Sequence, residues 1–189
     1  MKLLPESPAE FLAPLPRPPE KVFISEIIGD FGNAVLTGTP SGLLGLRLNQ
    51  TLSDVAETIS LKWGSEIICD DSPFGPANHN IREHIRAYLD GNDVPLNAVI
   101  QPVMLTPFTV DVHRYVSRIP YGVTCSYGEI AAYMGNPGAA RAVGTACGKN
   151  SALIAVPCHR VVASNGIGGF GLDINLKKRL LFHENIKIS

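Results

Sequence analysis

Cysteine is scarce. The 189 residues contain four, Cys69, Cys125, Cys147 and Cys158, and no two form a Cys-x-x-Cys pair. That spacing argues against a dense disulfide framework and gives no support for a thiolate zinc site. Thiols kept reduced fit an intracellular compartment. Long apolar runs are also missing: no stretch reaches the roughly 18 residues that suggest a membrane-spanning helix. The first residues carry one early cation, Lys2, and their apolar stretches are broken by Pro5, Pro8, Pro14 and Pro16, a poor secretory signal. There is no internal repeat. Glycines cluster at 166–171, but no Gly-Lys-Ser/Thr follows, so this is not a Walker phosphate loop. Charged residues are sparse at 17%, and hydrophobic residues make up 45%. Such a chain can bury a core, which excludes global disorder.

The net charge of −1 points to no partner, but its distribution does. Residues 1–106 carry 7 Lys+Arg against 13 Asp+Glu, a balance of −6. Residues 107–189 carry 9 against 4, a balance of +5. A basic half hints at a polyanion partner; the alternative is chance variation of surface charge.

Residues 1–22 hold six prolines and read as an irregular arm. Residues 23–95 read as a small α/β domain. Asn33–Thr37 and Leu43–Asn49 flank the turn Thr39-Pro40-Ser41-Gly42, which predicts a hairpin. The spacing predicts helices over Thr51–Lys62 and His79–Leu89, with a short strand at Glu66–Cys69 between them. Residues 96–106 read as the end of a linker with extended segments. From 107 to 189 the pattern turns mostly helical. Pro107–Ile119 is predicted helical with Phe108, Val112, Tyr115, Val116 and Ile119 on one face. Ser126-Tyr127-Gly128-Glu129 has the form of a capping box opening a helix to about Met134. Pro137 then suits the first position of a second helix, running to Cys147. The last helix is predicted over Lys177–Glu184, capped by Asp173 or Asn175. Leu176, Leu180 and Leu181 are expected to face inward, and Lys177, Lys178 and Arg179 outward.

The stretch Ser126–Cys147 thus has helix-turn-helix form. Its second helix is unusually poor in large side chains and offers one cation, Arg141. A major-groove reader would display Arg, Asn or Gln. Small residues suit either close packing inside a fold or approach to a narrower minor groove. The strongest chemical signal is Pro157-Cys158-His159-Arg160, which follows the apolar run Ala152–Val156. Neighbouring cations favour a thiolate, and a histidine can take the thiol proton directly or through water. Adjacent residues on extended chain face opposite ways, so a sharp turn is needed. The alternative is a buried structural cysteine beside a surface histidine. Glu184 sits at a helix C-terminus, where a carboxylate is disfavoured by the dipole. It either lies on the surface or accepts the second ring N–H of His159.

Ile154-Ala155-Val156-Pro157-Cys158-His159-Arg160-Val161-Val162 resembles the signature of the methylated-DNA–protein-cysteine methyltransferases, the O6-alkylguanine-DNA alkyltransferases. The resemblance continues through Ile119-Pro120-Tyr121-Gly122, Ser126 to Ala131, Gly135-Asn136-Pro137, Ala140 to Gly144, Asn150, and Leu180-Leu181 before Glu184. It covers roughly 107–186 in order. It implies repair of double-stranded DNA containing O6-alkylguanine by transfer of the alkyl group to Cys158, once per chain, after the base is flipped. His159 would be a water-mediated base oriented by Glu184, and Asn150 would hold the turn around the cysteine. Tyr127 would crowd the flipped nucleotide's phosphate and protonate the leaving guanine. Arg141 would fill the gap in the stack. Thr109, Gly128, Asn136, Ala139, Ala140 and Ser164 match positions at the DNA, and Val156, Pro157, Phe170 and Gly171 match the pocket. The resemblance implies no cofactor, and the absence of a Cys/His cluster implies no metal.

The chain departs from the family at Leu172-Asp173, where a glycine pair is usual, so a reshaped alkyl pocket is expected. A monomer is expected, in the cytoplasm of a prokaryote or the nucleus of a eukaryote. Two rivals remain: a non-catalytic sensor of alkylated guanine, and a cysteine hydrolase using Cys158 and His159.

Overall fold

A computed structural model describes residues 5, 9–70, 74 and 78–187. The chain forms two units, one built from the described residues of 9–106 together with Ser151–Ala155, and the other from Pro107–Asn150 and the described residues from Val156 onward.

The first unit is organised by a mixed sheet. β1 (Glu10–Phe11), β2 (Lys21–Gly29), β3 (Gly32–Thr39), β4 (Gly42–Leu48), β5 (Glu66–Cys69) and β6 (Val99–Ile100) lie in the order β1-β6-β4-β3-β2-β5. β2, β3 and β4 form an antiparallel meander, and β5, β6 and β1 add in parallel. The predicted hairpin is β3–β4. Helix α1 (Leu52–Trp63) begins at a full capping box, in which Thr51 accepts from the Asp54 amide and Asp54 accepts from the Thr51 amide. Its Val55 and Ile59 pack with Val22, Ile24, Val35 and Leu44 in one apolar cluster. Helix α2 (Ile81–Leu89) buries Ile81, Ile85, Tyr88 and Leu89.

Two expectations need correction here. Residues 10–11 and 21–22 are strand rather than irregular arm; of that arm, 1–4 and 6–8 lie outside the described residues. Residues 96–106 are not a free linker. Leu96, Ala98, Val99, Ile100 and Gln101 are buried, and β6 bridges β1 and β4. Strands this short carry too few residues to show alternation, so periodicity cannot find them. The apolar run Ala152–Val156 is buried and forms no strand of its own. It makes one bridge, Ala152 to Leu46, then turns at Ile154 with φ 68°. The Ser151 carbonyl accepts from the Leu46 amide at 2.8 Å, and Gly45 admits that carbonyl. A Cβ on Gly45 would lie 2.9 Å from the Ser151 oxygen.

The second unit contains α3 (Pro107–Val116), β7 (Cys125–Ser126), α4 (Tyr127–Tyr133), α5 (Ala140–Cys147), β8 (Val161–Val162) and α6 (Ile174–His183). The capping box predicted at α4 is present: Ser126 Oγ accepts from the Glu129 amide at 3.1 Å, and Glu129 accepts from the Ser126 amide at 2.7 Å. The second helix of the helix-turn-helix starts later than predicted, because Pro137–Ala139 forms a 3-10 turn before α5. Small residues on α5 serve packing: Val143 and Ala146 are buried, and the Ala146 carbonyl meets His113 Nε2 at 2.9 Å. On α3, Val112, Val116 and the following Ile119 are buried as predicted. Phe108 is exposed, and Thr109, Val110 and His113 are buried instead.

Replacing Ser126 by Ala leaves the opening amides of α4 without their acceptor. We expect a loss of about 1 kcal/mol in urea unfolding. A change below about 0.3 kcal/mol would show that the cap does not hold α4.

Candidate active site

Pro157 and Cys158–Arg160 make the sharp turn that a Cys-His pair requires. Pro157 sits at φ −78°, ψ 62°, and the three residues after it form a 3-10 turn. Two bonds hold this turn. The Cys158 amide donates to the Val156 carbonyl at 2.8 Å, and Asn150 Nδ2 donates to the same carbonyl at 2.7 Å. Asn150 Nδ2 also lies 3.0 Å from Cys158 Sγ, a donor aimed at the sulfur.

Behind the cysteine lies a buried charged cluster. Glu184 Oε1 meets His159 Nε2 at 2.6 Å. Arg160 grips both carboxylate oxygens, Nε at 2.8 Å and Nη2 at 2.9 Å, and gives Nη1 to the Ile119 carbonyl at 2.6 Å. The Gly122 amide donates to Glu184 Oε2 at 3.2 Å. Burial opposes the Glu184 charge, but the hydrogen bonds and charges of His159 and Arg160 outweigh it and hold the carboxyl well below its usual range. His159 is held below the ordinary histidine value by burial, against the pull of Glu184, and is therefore neutral at pH 7. With Glu184 ionised, His159 carries its proton on Nε2. Nδ1 is buried without a hydrogen-bond partner among the described residues, so its lone pair is available.

Lys177 corrects the sequence reading. It was expected outside, yet it is fully buried. Its Nζ donates to the Val161 carbonyl at 2.6 Å and the Gly169 carbonyl at 2.9 Å, and it lies 5.8 and 5.9 Å from the Tyr127 and Phe170 ring centres. The signal was available: 177, 180, 181 and 184 fall on one helical face. Burial brings the Lys177 amine down to about 8. Burial pushes the Cys158 thiol up, and the Asn150 hydrogen bond and the Lys177 charge draw it back. The phenol of Tyr127 is raised to about 12, chiefly by burial, and donates to the Gly169 carbonyl at 2.9 Å. Gly168, at φ +71°, lets that ring sit there; a Cβ would come within 2.9 Å of it.

Cys158 lines a cavity of about 510 Å³ with Tyr127, Ala140, Arg141, Gly144, Cys147, Gly148, Gly169, Phe170 and Gly171. The family model for the 6-O-methylguanine DNA methyltransferase DNA-binding domain matches residues 107–186. A methylated-DNA–protein-cysteine methyltransferase from Saccharolobus islandicus (strain M.16.27) is 40% identical over 121 residues, 63% of this chain and 74% of the relative. Its namesake from Mycobacterium bovis is 38% identical over 151 residues, 79% of this chain and 84% of the relative. This chain belongs to the methylated-DNA–protein-cysteine methyltransferase family. A crystal structure of Mycobacterium tuberculosis OGT in complex with DNA is similar, with TM-score 0.68 and 34% identity, covering 86% of this chain and 92% of that one.

Measured against that family, the predicted site residues divide. Tyr127, Ala140, Arg141, Cys158, Phe170 and Gly171 meet at the cavity, with Asn150 at the sulfur and His159 and Glu184 behind it. Val156 and Pro157 are buried and shape the turn rather than line the cavity. Gly128, Asn136 and Ser164 are exposed, Ala139 is half-buried, and none of them lines it. Thr109 is buried on α3, so its side chain is not displayed for a duplex. Leu172 and Asp173, where a reshaped pocket is expected, stand beside the cavity-lining Gly171 in sequence. Neither lines the cavity, and Asp173 caps α6 by accepting from the Asn175 amide at 2.9 Å. Gly171 does line it, and a Cβ there would stand 3.0 Å from Gly148.

His159 and His113 are both held by burial below the ordinary value of 6.5. The unfolded chain therefore takes up protons first as pH falls, and stability declines below about pH 6.5, by up to about 1.4 kcal/mol per pH unit for each group. Support from Glu184 is complete above about 4.5 and is lost as pH falls toward its lowered value. Glu184→Gln leaves Arg160 buried without its counter-charge, and we expect urea unfolding at pH 7.5 to show a loss of about 3–5 kcal/mol. A loss under about 1 kcal/mol would contradict the pairing described.

Proposed function

We propose that this chain repairs double-stranded DNA by moving the alkyl group of O6-alkylguanine to its own Cys158, once per molecule, with the damaged base flipped into the cavity. The observation that carries this reading is the setting of Cys158: a sulfur opening on a base-sized cavity, faced by Asn150 and the Lys177 charge, with His159 and Glu184 behind it. The Cys158 proton leaves for His159 Nδ1, through a water. The thiolate then attacks the alkyl carbon in line, forming the S–C bond as the C–O6 bond breaks. The departing guanine takes a proton from the Tyr127 hydroxyl, a neutral phenol at physiological pH, and the proton held on His159 returns through water to the Tyr127 oxygen, leaving both groups as they began. The product is a thioether, and nothing at the site hydrolyses it, so the chain acts once.

A stacked guanine cannot present its O6 to a buried sulfur, so the base must leave the helix. Arg141 is exposed on the small-residue helix α5, which supports a role for it in filling the gap in the stack. Gly128, Asn136, Ala139, Ala140 and Ser164 supply the surface along the strand; buried Thr109 supports α3 beneath it. Val156 and Pro157 fix the cysteine turn, and Phe170 and Gly171 wall the pocket. The DNA-binding and transfer part is the unit of Pro107–Asn150 and Val156 onward, and the α/β part is the unit that includes Ser151–Ala155. Among the described residues no helix is long and apolar enough to cross a membrane. Work on DNA places the protein in a prokaryotic cytoplasm or a eukaryotic nucleus.

Intact-protein mass after incubation with a duplex carrying O6-methylguanine should rise by one methyl substitution per chain, mapped to Cys158, with none in Cys158→Ser. His159→Ala should slow transfer by about 10²–10⁴-fold. Arg141→Ala should slow transfer from duplex more than from the free base. Methyl on another residue, or repeated turnover, would refute the assignment; damaged duplex bound without transfer would indicate a sensor.

A further inference from the structure

The cavity that holds Cys158 holds a second thiol. Cys147 is the last residue of α5 and lines the same walls. Both cysteines are free, Cys147 half-exposed and Cys158 buried, while Cys69 and Cys125 do not line the cavity. Each sulfur feels the Lys177 charge, and the Cys158 charge acts on Cys147. The transfer reading gives Cys147 no task. Burial, and beside it the charge of a Cys158 thiolate, push its thiol up to about 12, so Cys147 rests as the protonated thiol. Asn150 Nδ2 aims a hydrogen bond at the Cys158 sulfur, which favours its thiolate, the form that peroxide attacks.

We infer that Cys147 is a resolving thiol, which captures peroxide-oxidised Cys158 as a Cys147–Cys158 disulfide and so keeps the nucleophile recoverable. The inference rests on reading Cys158 as the reactive thiol. The Cys158 thiolate attacks one oxygen of hydrogen peroxide; an S–O bond forms, the O–O bond breaks, and the departing hydroxide takes the thiol proton as water. Cys158 is now a neutral sulfenic acid, so its charge no longer raises Cys147. The Cys147 sulfur attacks the Cys158 sulfur. An S–S bond forms, the S–O bond breaks, and the hydroxide leaves with the Cys147 proton as a second water. Two thiols lose two hydrogens and one peroxide becomes two waters. A dithiol reductant reverses the bond, whereas a sulfenic acid left alone proceeds to sulfinic acid, which such reductants do not repair. For a protein whose sulfur is consumed in a single reaction, that difference decides whether an oxidised molecule is lost.

The test uses the full chain, hydrogen peroxide and mass spectrometry, with no alkylated DNA. Oxidised wild type should lose the mass of two hydrogens, yield a Cys147–Cys158 cross-linked peptide, and return to free thiols with dithiothreitol. Cys147→Ser should instead gain oxygen on Cys158, and the fraction of Cys158 recovered by dithiothreitol should fall at least about fivefold. A wild-type cross-link to Cys69 or Cys125, no cross-link at all, or equal recovery in Cys147→Ser would each overturn the inference. Because the readout is thiol chemistry, failure here with normal alkyl transfer condemns only the disulfide, and loss of alkyl transfer with a normal disulfide condemns only the repair reading.

Discussion

The carboxylate of Glu184 is the constraint on which the site depends. It is buried, and moving a charge of that kind out of water costs several kcal/mol even after relaxation. The cost is met only because partners converge on it from separate parts of the second unit: His159 and Arg160 beside the cysteine, and the Gly122 amide after α3. Arg160 extends the network to the Ile119 carbonyl. One group therefore sets the position of the Cys158 turn, the tautomer of His159 and the end of α6 together. Removing any one partner exposes the others to the same desolvation penalty, so the arrangement holds as a unit or not at all.

Low dielectric around that network is also what makes the cysteine chemistry selective. Burial alone would keep the Cys158 thiol protonated; the Asn150 donor and the Lys177 cation pull against it. In water both effects would be weak, and here they act on a sulfur that water scarcely reaches. Lys177 carries its own penalty, since burial lowers its amine to about 8, and two carbonyls and two aromatic faces hold it there. The oxidation chemistry inferred for Cys147 follows from the same field, because the pocket that tunes one thiol cannot leave its neighbour untouched.

Much of this was legible beforehand, for local reasons. The α4 capping box, the β3–β4 hairpin and the start of α1 at Thr51 follow from residues within four positions of one another. The pairing of His159 with Glu184 was one of two readings of a carboxylate in an unfavourable place. Other features resisted. β1 and β6 are two residues each, too short for any period to show. Ser151–Ala155 joins the sheet unit, although the residues on either side belong to the other. Lys177 was misplaced because a lysine between Leu176 and Lys178 looks like solvated surface, although its face of α6 is the one bearing Leu180, Leu181 and Glu184.

The sequence by itself determined the longer elements, the capping box of α4, the reactive Pro157-Cys158-His159-Arg160 turn and the family, because these depend on short-range geometry and on the order of motifs along the chain. Tertiary structure decided which charges are buried, which nitrogen of His159 is free, that the buried Lys177 charge acts on the Cys158 sulfur, and that Cys147 shares its cavity with Cys158. Those outcomes turn on desolvation and on partners brought in from far along the chain, as with His159 and Glu184 at a separation of 25. Neither quantity is carried by any residue alone; both exist only once the chain has closed around them.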